Sequence, residues 1–187
     1  MSIPFWLLAG ALIAASACGR TPPAEPDLLR TATIKDIMDS MVDPSAEFLF
    51  DSVATIADER GITEKAPHTD EEWLEVRRRA IQLLEAPNLL VTTGRQVALA
   101  GEQSKNPEIE LQPAQIQQLI DGDRVSFVTR ARALQDAAMM ALKASDARDK
   151  GALFAACERI DKACENCHLH YWYPNDKRAQ EAARTGQ

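Results

Sequence analysis

Two cysteines and a histidine lie close together near the C-terminus, in the run Cys164-Glu165-Asn166-Cys167-His168. Two thiols three residues apart project from one side of a helical turn, so both can reach the two vinyl groups on one edge of a porphyrin and form thioethers. His168 follows directly, which carries its imidazole under the ring, where it can ligate the iron. The spacing predicts covalent attachment of one c-type haem per chain. A zinc half-site and a redox dithiol are the alternatives.

The N-terminal segment is typical of an exported protein. Residues 3–17 form an apolar run that ends in small residues and is shorter than the roughly 20 residues that span a membrane. It resembles the apolar region of a signal peptide, although Met1-Ser2 carries no basic side chain. The end of the run, Ala15-Ser16-Ala17-Cys18, resembles a bacterial lipobox. This predicts cleavage before Cys18 and acylation of its thiol; simple cleavage that leaves Cys18 free is the alternative.

Export and haem attachment point to the same compartment, because covalent haem is installed outside the cytoplasmic membrane. Of the four cysteines, one belongs to the lipobox and two to the haem motif, which leaves only Cys157 and no disulfide framework. We therefore expect a periplasmic protein that is lipid-anchored to the bacterial membrane. Residues 1–17 would be the signal peptide and residues 18–27 a Pro-rich tether.

The composition favours helices in a single domain and limits the class of partner. The chain has 187 residues, only 5% aromatic side chains, and a formal net charge of −7. An acidic surface argues against nucleic acid and against an anionic membrane face as partner, and it suits a basic redox partner protein.

Hydrophobic periodicity predicts four helices and no strand. The first helix is expected over about residues 28–60, with an interruption at Asp43-Pro44. The second begins near Thr69 or Asp70 and ends or kinks at Pro87. After a loop over residues 101–112, the remaining two helices begin near Pro113 and Asp149, and a break within the third is expected at Asp121-Gly122-Asp123. Four such helices pack most simply as an all-α, up-down-up-down bundle over residues 28–175, followed by a C-terminal tail over residues 176–187.

A four-helix bundle with C-x-x-C-H late in its last helix resembles the class II c-type cytochromes, the cytochrome c-prime group. The resemblance covers about residues 28–175 and implies that Cys164 and Cys167 bind the haem and that His168 is the proximal ligand. In that family the opposite haem face lies against the first helix. Some members place a Met there and are six-coordinate electron carriers, whereas others leave an open iron that binds small gases.

The first predicted helix offers two methionines for the distal position, Met38 and Met41. They lie one turn apart and are expected on nearly the same face. We favour Met38, because residues 33–38 resemble the segment before the Met ligand in six-coordinate members. The alternative is that both are ordinary core residues.

The residues after the motif differ in part from the family pattern, in which the proximal His is followed by an aromatic and then a basic residue. Tyr171 takes the aromatic position and is expected at the haem edge, with core packing as the alternative. Trp172 stands where the base would be, so no proximal cation is expected. His170 points about 200° away from His168 on a helix and cannot join the same iron.

The resemblance implies a cytochrome that transfers single electrons and is not an enzyme, and homodimers are possible in this family. A five-coordinate protein that binds NO or CO is one alternative. The other is a non-haem lipoprotein in which Cys164, Cys167 and His168 or His170 hold zinc. The sequence contains no nucleophile elbow, Gly-rich phosphate loop or H-E-x-x-H motif.

Overall fold

A computed structural model describes residues 29–58 and 61–185, so the predicted signal peptide, Cys18 and the tether lie outside the described residues. The described chain is mostly helical. Its elements are α1 (Ile34–Ile37), a π-helical segment (Met38–Val42), α2 (Asp43–Ser52), β1 (Ala54–Asp58), β2 (Gly61–Lys65), α3 (Asp70–Leu90), α4 (Pro113–Gly122), α5 (Arg124–Ala147), α6 (Lys150–Tyr171) and α7 (Lys177–Thr185). No helix in the described ranges is both long and apolar enough to cross a membrane.

The first helical stretch changes its winding before Pro44. The backbone N–H of Asp43 donates to the carbonyl of Met38, five residues earlier, which defines the π-helical segment. Pro44 has no N–H for the carbonyl four residues before it, and its ring presses on that carbonyl. A wider turn just before the proline relieves the conflict, and Pro44 then occupies the first turn of α2, where a missing N–H matters least. The expected interruption is therefore a local widening of a continuous helical stretch.

The prediction that the first helix reaches about residue 60, with no strand in the chain, is wrong. The stretch ends at Ser52, Val53 is already extended, and β1 pairs with β2 as an antiparallel hairpin in which Ala54 lies opposite Lys65. The sequence explains the change, because β-branched residues are concentrated here and favour strands over helices. These residues are Val53, Thr55, Ile56, Ile62 and Thr63.

The later helices begin where their capping residues predict. The Thr69 hydroxyl accepts from the backbone N–H of Glu72, and the Asp149 carboxylate accepts from that of Ala152. Pro87 lies inside α3, which continues to Leu90, so this proline does not end the helix.

One boundary in the C-terminal half agrees with the expectation and another differs from it. The third predicted helix is divided at Asp123 into α4 and α5, within the break expected at residues 121–123. The expected tail of residues 176–187 contains α7, whose first turn is capped by the Asp176 carboxylate. That carboxylate accepts from the backbone N–H groups of Arg178 and Ala179.

The core lies between α2, α3, α5 and α6. Leu49 from α2, Leu83 from α3, and Leu153 and Ile160 from α6 are all fully buried. Alanines fill much of the remaining contact and let the helix axes approach closely. The fully buried ones are Ala80, Ala86, Ala138, Ala141 and Ala156.

The long connection between α3 and α4 holds the start of α1 in place. The backbone N–H groups of Ile34 and Lys35 have no partner within their own helix, and they donate to the carbonyls of Gln96 and Val97 at 2.9 Å each. Arg95 is only 7% exposed. Its guanidinium donates to the carbonyls of Leu89 and Ala32. The connection therefore fixes the start of α1, one helical turn before the π-helical segment.

Replacing Arg95 with Met is expected to lower the free energy of unfolding by about 3 kcal/mol, because two backbone carbonyls lose a charged donor. Urea unfolding measures the loss. Arg77→Met is the matched control: Arg77 forms an exposed ion pair with Asp146, and its loss should cost less than about 1 kcal/mol. Equal losses in the two variants would contradict the role of Arg95.

Asp36 should make stability depend on pH in a definite direction. The backbone N–H and then the hydroxyl of Thr33 donate to its carboxylate, which lowers the pKa of Asp36 below the usual 3.8. Its stabilising effect is therefore present above that usual value and is lost as pH falls through the lowered value. The melting temperatures of the native chain and Asp36→Asn should differ near neutral pH and converge in acid. A difference in melting temperature that stays constant with pH would contradict a stabilising role for the Asp36 charge.

Candidate cofactor site

The second half of α6 places Cys164, Cys167 and His168 on one helix face, at positions i, i+3 and i+4. All three line a single, largely apolar pocket whose cavity is small, about 20 Å³. The other walls come from the π-helical segment, the end of α3, the first half of α5 and one more residue of α6. They consist of Met38, Val42, Leu90, Phe127, Arg130, Ala131, Leu134 and Ala163.

Met38 lies in this lining, whereas Met41 packs against the core outside it. The expectation that both project from nearly the same face assumed α-helical winding. A π-helical turn contains more residues than an α-helical turn, so positions three apart no longer lie above one another. The π-helical segment thus separates the two methionines and brings Met38 together with His168 and both thiols.

Both thiols of the motif are held in the protonated form. Burial, followed by the neighbouring Cys167, raises the pKa of Cys164 to about 12. Burial also raises the pKa of Cys167 to about 11, against an opposing effect of Arg130. In addition, both lie toward the C-terminal end of α6, where the negative end of the helix dipole disfavours a thiolate. Redox dithiols need a lowered pKa, so the surroundings of this pair do not favour that alternative.

The His168 imidazole is held neutral and oriented. Burial lowers its pKa, and the charge of Glu165 only partly opposes this. The Trp172 ring lies edge-on to it at 5.0 Å between centroids, and the Tyr173 ring is tilted at 5.7 Å. A neutral imidazole is the form that binds a metal.

Arg130 brings a positive charge to the pocket that the sequence reasoning missed. Its Nη1 donates to the carbonyl of Asn166 at 3.0 Å, while its Nε is buried and has no hydrogen-bond partner among the described residues. An unpartnered buried donor costs about 1–3 kcal/mol, so this edge of the pocket is suited to an anionic acceptor. This charge comes from α5, whereas the sequence argument considered only the position of Trp172, which carries no base.

The other residues singled out in the sequence lie outside the pocket. Tyr171 is buried and packs edge-on against Phe127 at 5.6 Å, one layer behind the lining. His170 is exposed and does not line the pocket. The Cys157 thiol is buried and donates to the carbonyl of Leu49 at 3.4 Å, as expected for a core residue.

No protein-family model, curated protein or solved structure matches the chain. Within residues 29–58 and 61–185, no three His, Cys, Asp or Glu side chains form a group that could hold a metal ion. Interpretation of the site therefore depends on the chemistry of its own residues.

The raised pKa of the motif thiols should make them slow to alkylate in the folded, haem-free chain. The rise in pKa to about 11 reduces the thiolate fraction of Cys167 about 100-fold near pH 8, and the rise to about 12 reduces that of Cys164 further. Greater nucleophilicity offsets part of this, so iodoacetamide should react at least about 10-fold more slowly than in the unfolded chain. Peptide mass spectrometry resolves Cys164 and Cys167 separately. Equal rates in the folded and unfolded chains would show that the thiols are open to solvent.

Proposed function

We propose that this chain is a c-type cytochrome that transfers single electrons and is not an enzyme. Cys164 and Cys167 would bind one haem covalently, His168 would be the proximal ligand and Met38 the distal ligand. The observation that supports this best is the shared pocket, in which two thiols, an imidazole and a thioether from two separate parts of the chain line one apolar space.

The donor set fits a haem in kind and in charge. The apolar walls suit a porphyrin ring, and a neutral imidazole and a thioether are both iron ligands. The guanidinium of Arg130 provides a partner for one of the two carboxylates that a haem carries. Zinc fits less well, because it would place a second cation beside Arg130 and would need both thiols ionised despite their raised pKa.

Each residue of the pocket has a role that follows from its chemistry. A haem bound here would supply an iron that cycles between two oxidation states. The two thiols fix the orientation of the ring, and His168 presents a neutral nitrogen. The walls formed by Val42, Leu90 and Phe127 exclude water, which favours the reduced form, as does a thioether ligand such as Met38.

The helix contacts favour a four-helix bundle of the class II cytochrome type. The stretch from α1 to α2 forms one rod, and α2 contacts α3, α3 contacts α5, α5 contacts α6, and α6 contacts α2. Each rod thus has two neighbours in a closed ring, as in an up-down-up-down bundle. In this proposal the hairpin is an addition between the first and second rods of the bundle. Helix α4 is an addition between the second and third rods.

The proposal includes export and a membrane anchor. The apolar run before Cys18 supports a periplasmic location, with lipid on the Cys18 thiol. The net charge of −7 supports a redox partner protein with a basic surface.

Absorption spectra of protein matured with the haem-attachment machinery test the proposal. The native chain should show a sharp, low-spin Soret band that carbon monoxide does not shift. Met38→Ala should become high-spin and bind carbon monoxide, because the iron loses its sixth ligand. Met41→Ala is the matched control and should retain the native spectrum.

Two results would overturn the assignment. A native spectrum that is high-spin and shifts with carbon monoxide would indicate the open iron of a gas-binding protein. A colourless protein with stoichiometric zinc would indicate the non-haem alternative.

A further inference from the structure

The chain folds back on itself immediately after α6, behind the His168 ring. The backbone N–H groups of Trp172 and Tyr173 both donate to the carbonyl of His168, at 2.8 and 3.0 Å. This double hydrogen bond ends the helix and returns Tyr173 to the side of the imidazole. The rings of Trp172 and Tyr173 then enclose His168 and limit its rotation.

A carboxylate is held beside this enclosure. The Tyr173 hydroxyl donates to a carboxylate oxygen of Glu165 at 2.7 Å. Glu165 precedes His168 by three residues, so the two side chains are neighbours on the surface of α6. Its negative charge acts on the imidazole, where it favours the protonated ring. Tyr173 therefore keeps a charged acceptor within the immediate surroundings of His168.

The His168 ring makes no hydrogen bond with the described residues of the chain. A metal-binding histidine uses one ring nitrogen for the metal and almost always donates the N–H of the other to a carboxylate, a carbonyl or water. Such an acceptor sets the tautomer and makes the imidazole a stronger electron donor.

We propose that Glu165, positioned by Tyr173, is the carboxylate that accepts the free ring N–H of His168 when this histidine ligates the haem iron. The inference rests on the proposed function and assigns Glu165 as a positioning residue. Its charge would stabilise the oxidised iron and lower the reduction potential, against the effect of the apolar walls and Met38.

The test compares three variants of the haem-loaded protein. Glu165→Gln removes the charge, Tyr173→Phe keeps the charge but removes its anchor, and Glu158→Gln is the matched control. Glu158 is exposed and lies two turns earlier on α6. Spectroelectrochemical titration should give a higher potential in Glu165→Gln, a smaller rise in Tyr173→Phe, and the least change in the control.

Two further measurements separate a hydrogen bond from a general charge effect. In a Met38→Ala background, the Fe–His stretch of the ferrous protein, measured by resonance Raman, should fall in Glu165→Gln and stay constant in Glu158→Gln. In the reduced, haem-loaded native protein, ¹H NMR should show the free ring N–H of His168 protected from exchange with solvent, and Glu165→Gln should shorten this protection while Glu158→Gln leaves it unchanged.

Equal potentials and stretching frequencies in Glu165→Gln and Glu158→Gln would overturn this inference while leaving the cytochrome assignment intact. A native protein without a Soret band would overturn the cytochrome assignment itself, and the inference with it.

Discussion

Close packing of α5 against both α3 and α6 is the constraint on which the rest of the structure depends. Ala138 and Ala141 of α5 and Ala156 of α6 are fully buried, and their small side chains let the helices approach closely. Toward the other end of the same contact, Phe127 and Leu134 alternate with the small Ala131 and Ala163. The helices therefore pack closely where alanines face each other. They leave a gap where large and small side chains alternate, and the pocket forms there.

The pocket combines three electrostatic conditions that differ from those of the acidic surface. The thiols are protonated, the imidazole is neutral, and the nearest fixed charge in the lining is the cation of Arg130. A bound group with an apolar body and an anionic edge satisfies all three conditions at once. A small metal cation suits only the neutral imidazole, since it needs ionised thiols and repels the guanidinium.

Local signals predicted the parts of the fold and site that depend on neighbouring residues. Thr69 and Asp149 indicated helix starts, and the run containing Cys164 and His168 indicated that two thiols and an imidazole share one helix face. Arg130 was missed although it lies three residues after Phe127, because periodicity cannot tell a charged side chain at the edge of a core from one in solvent. The separation of Met38 from Met41 was missed because it depends on the clash between Pro44 and the preceding turn.

The half-buried position of the motif thiols has a consequence for maturation. In the folded chain, α5 and the π-helical segment partly cover Cys164 and Cys167, so a large planar group would have to displace packed side chains to reach them. Under the proposed function, attachment is therefore easiest while α6 is still accessible, before the helices close around it. Folding and covalent modification would then compete in time, and a mutation that accelerates closure could reduce the yield of mature protein without altering any residue of the site.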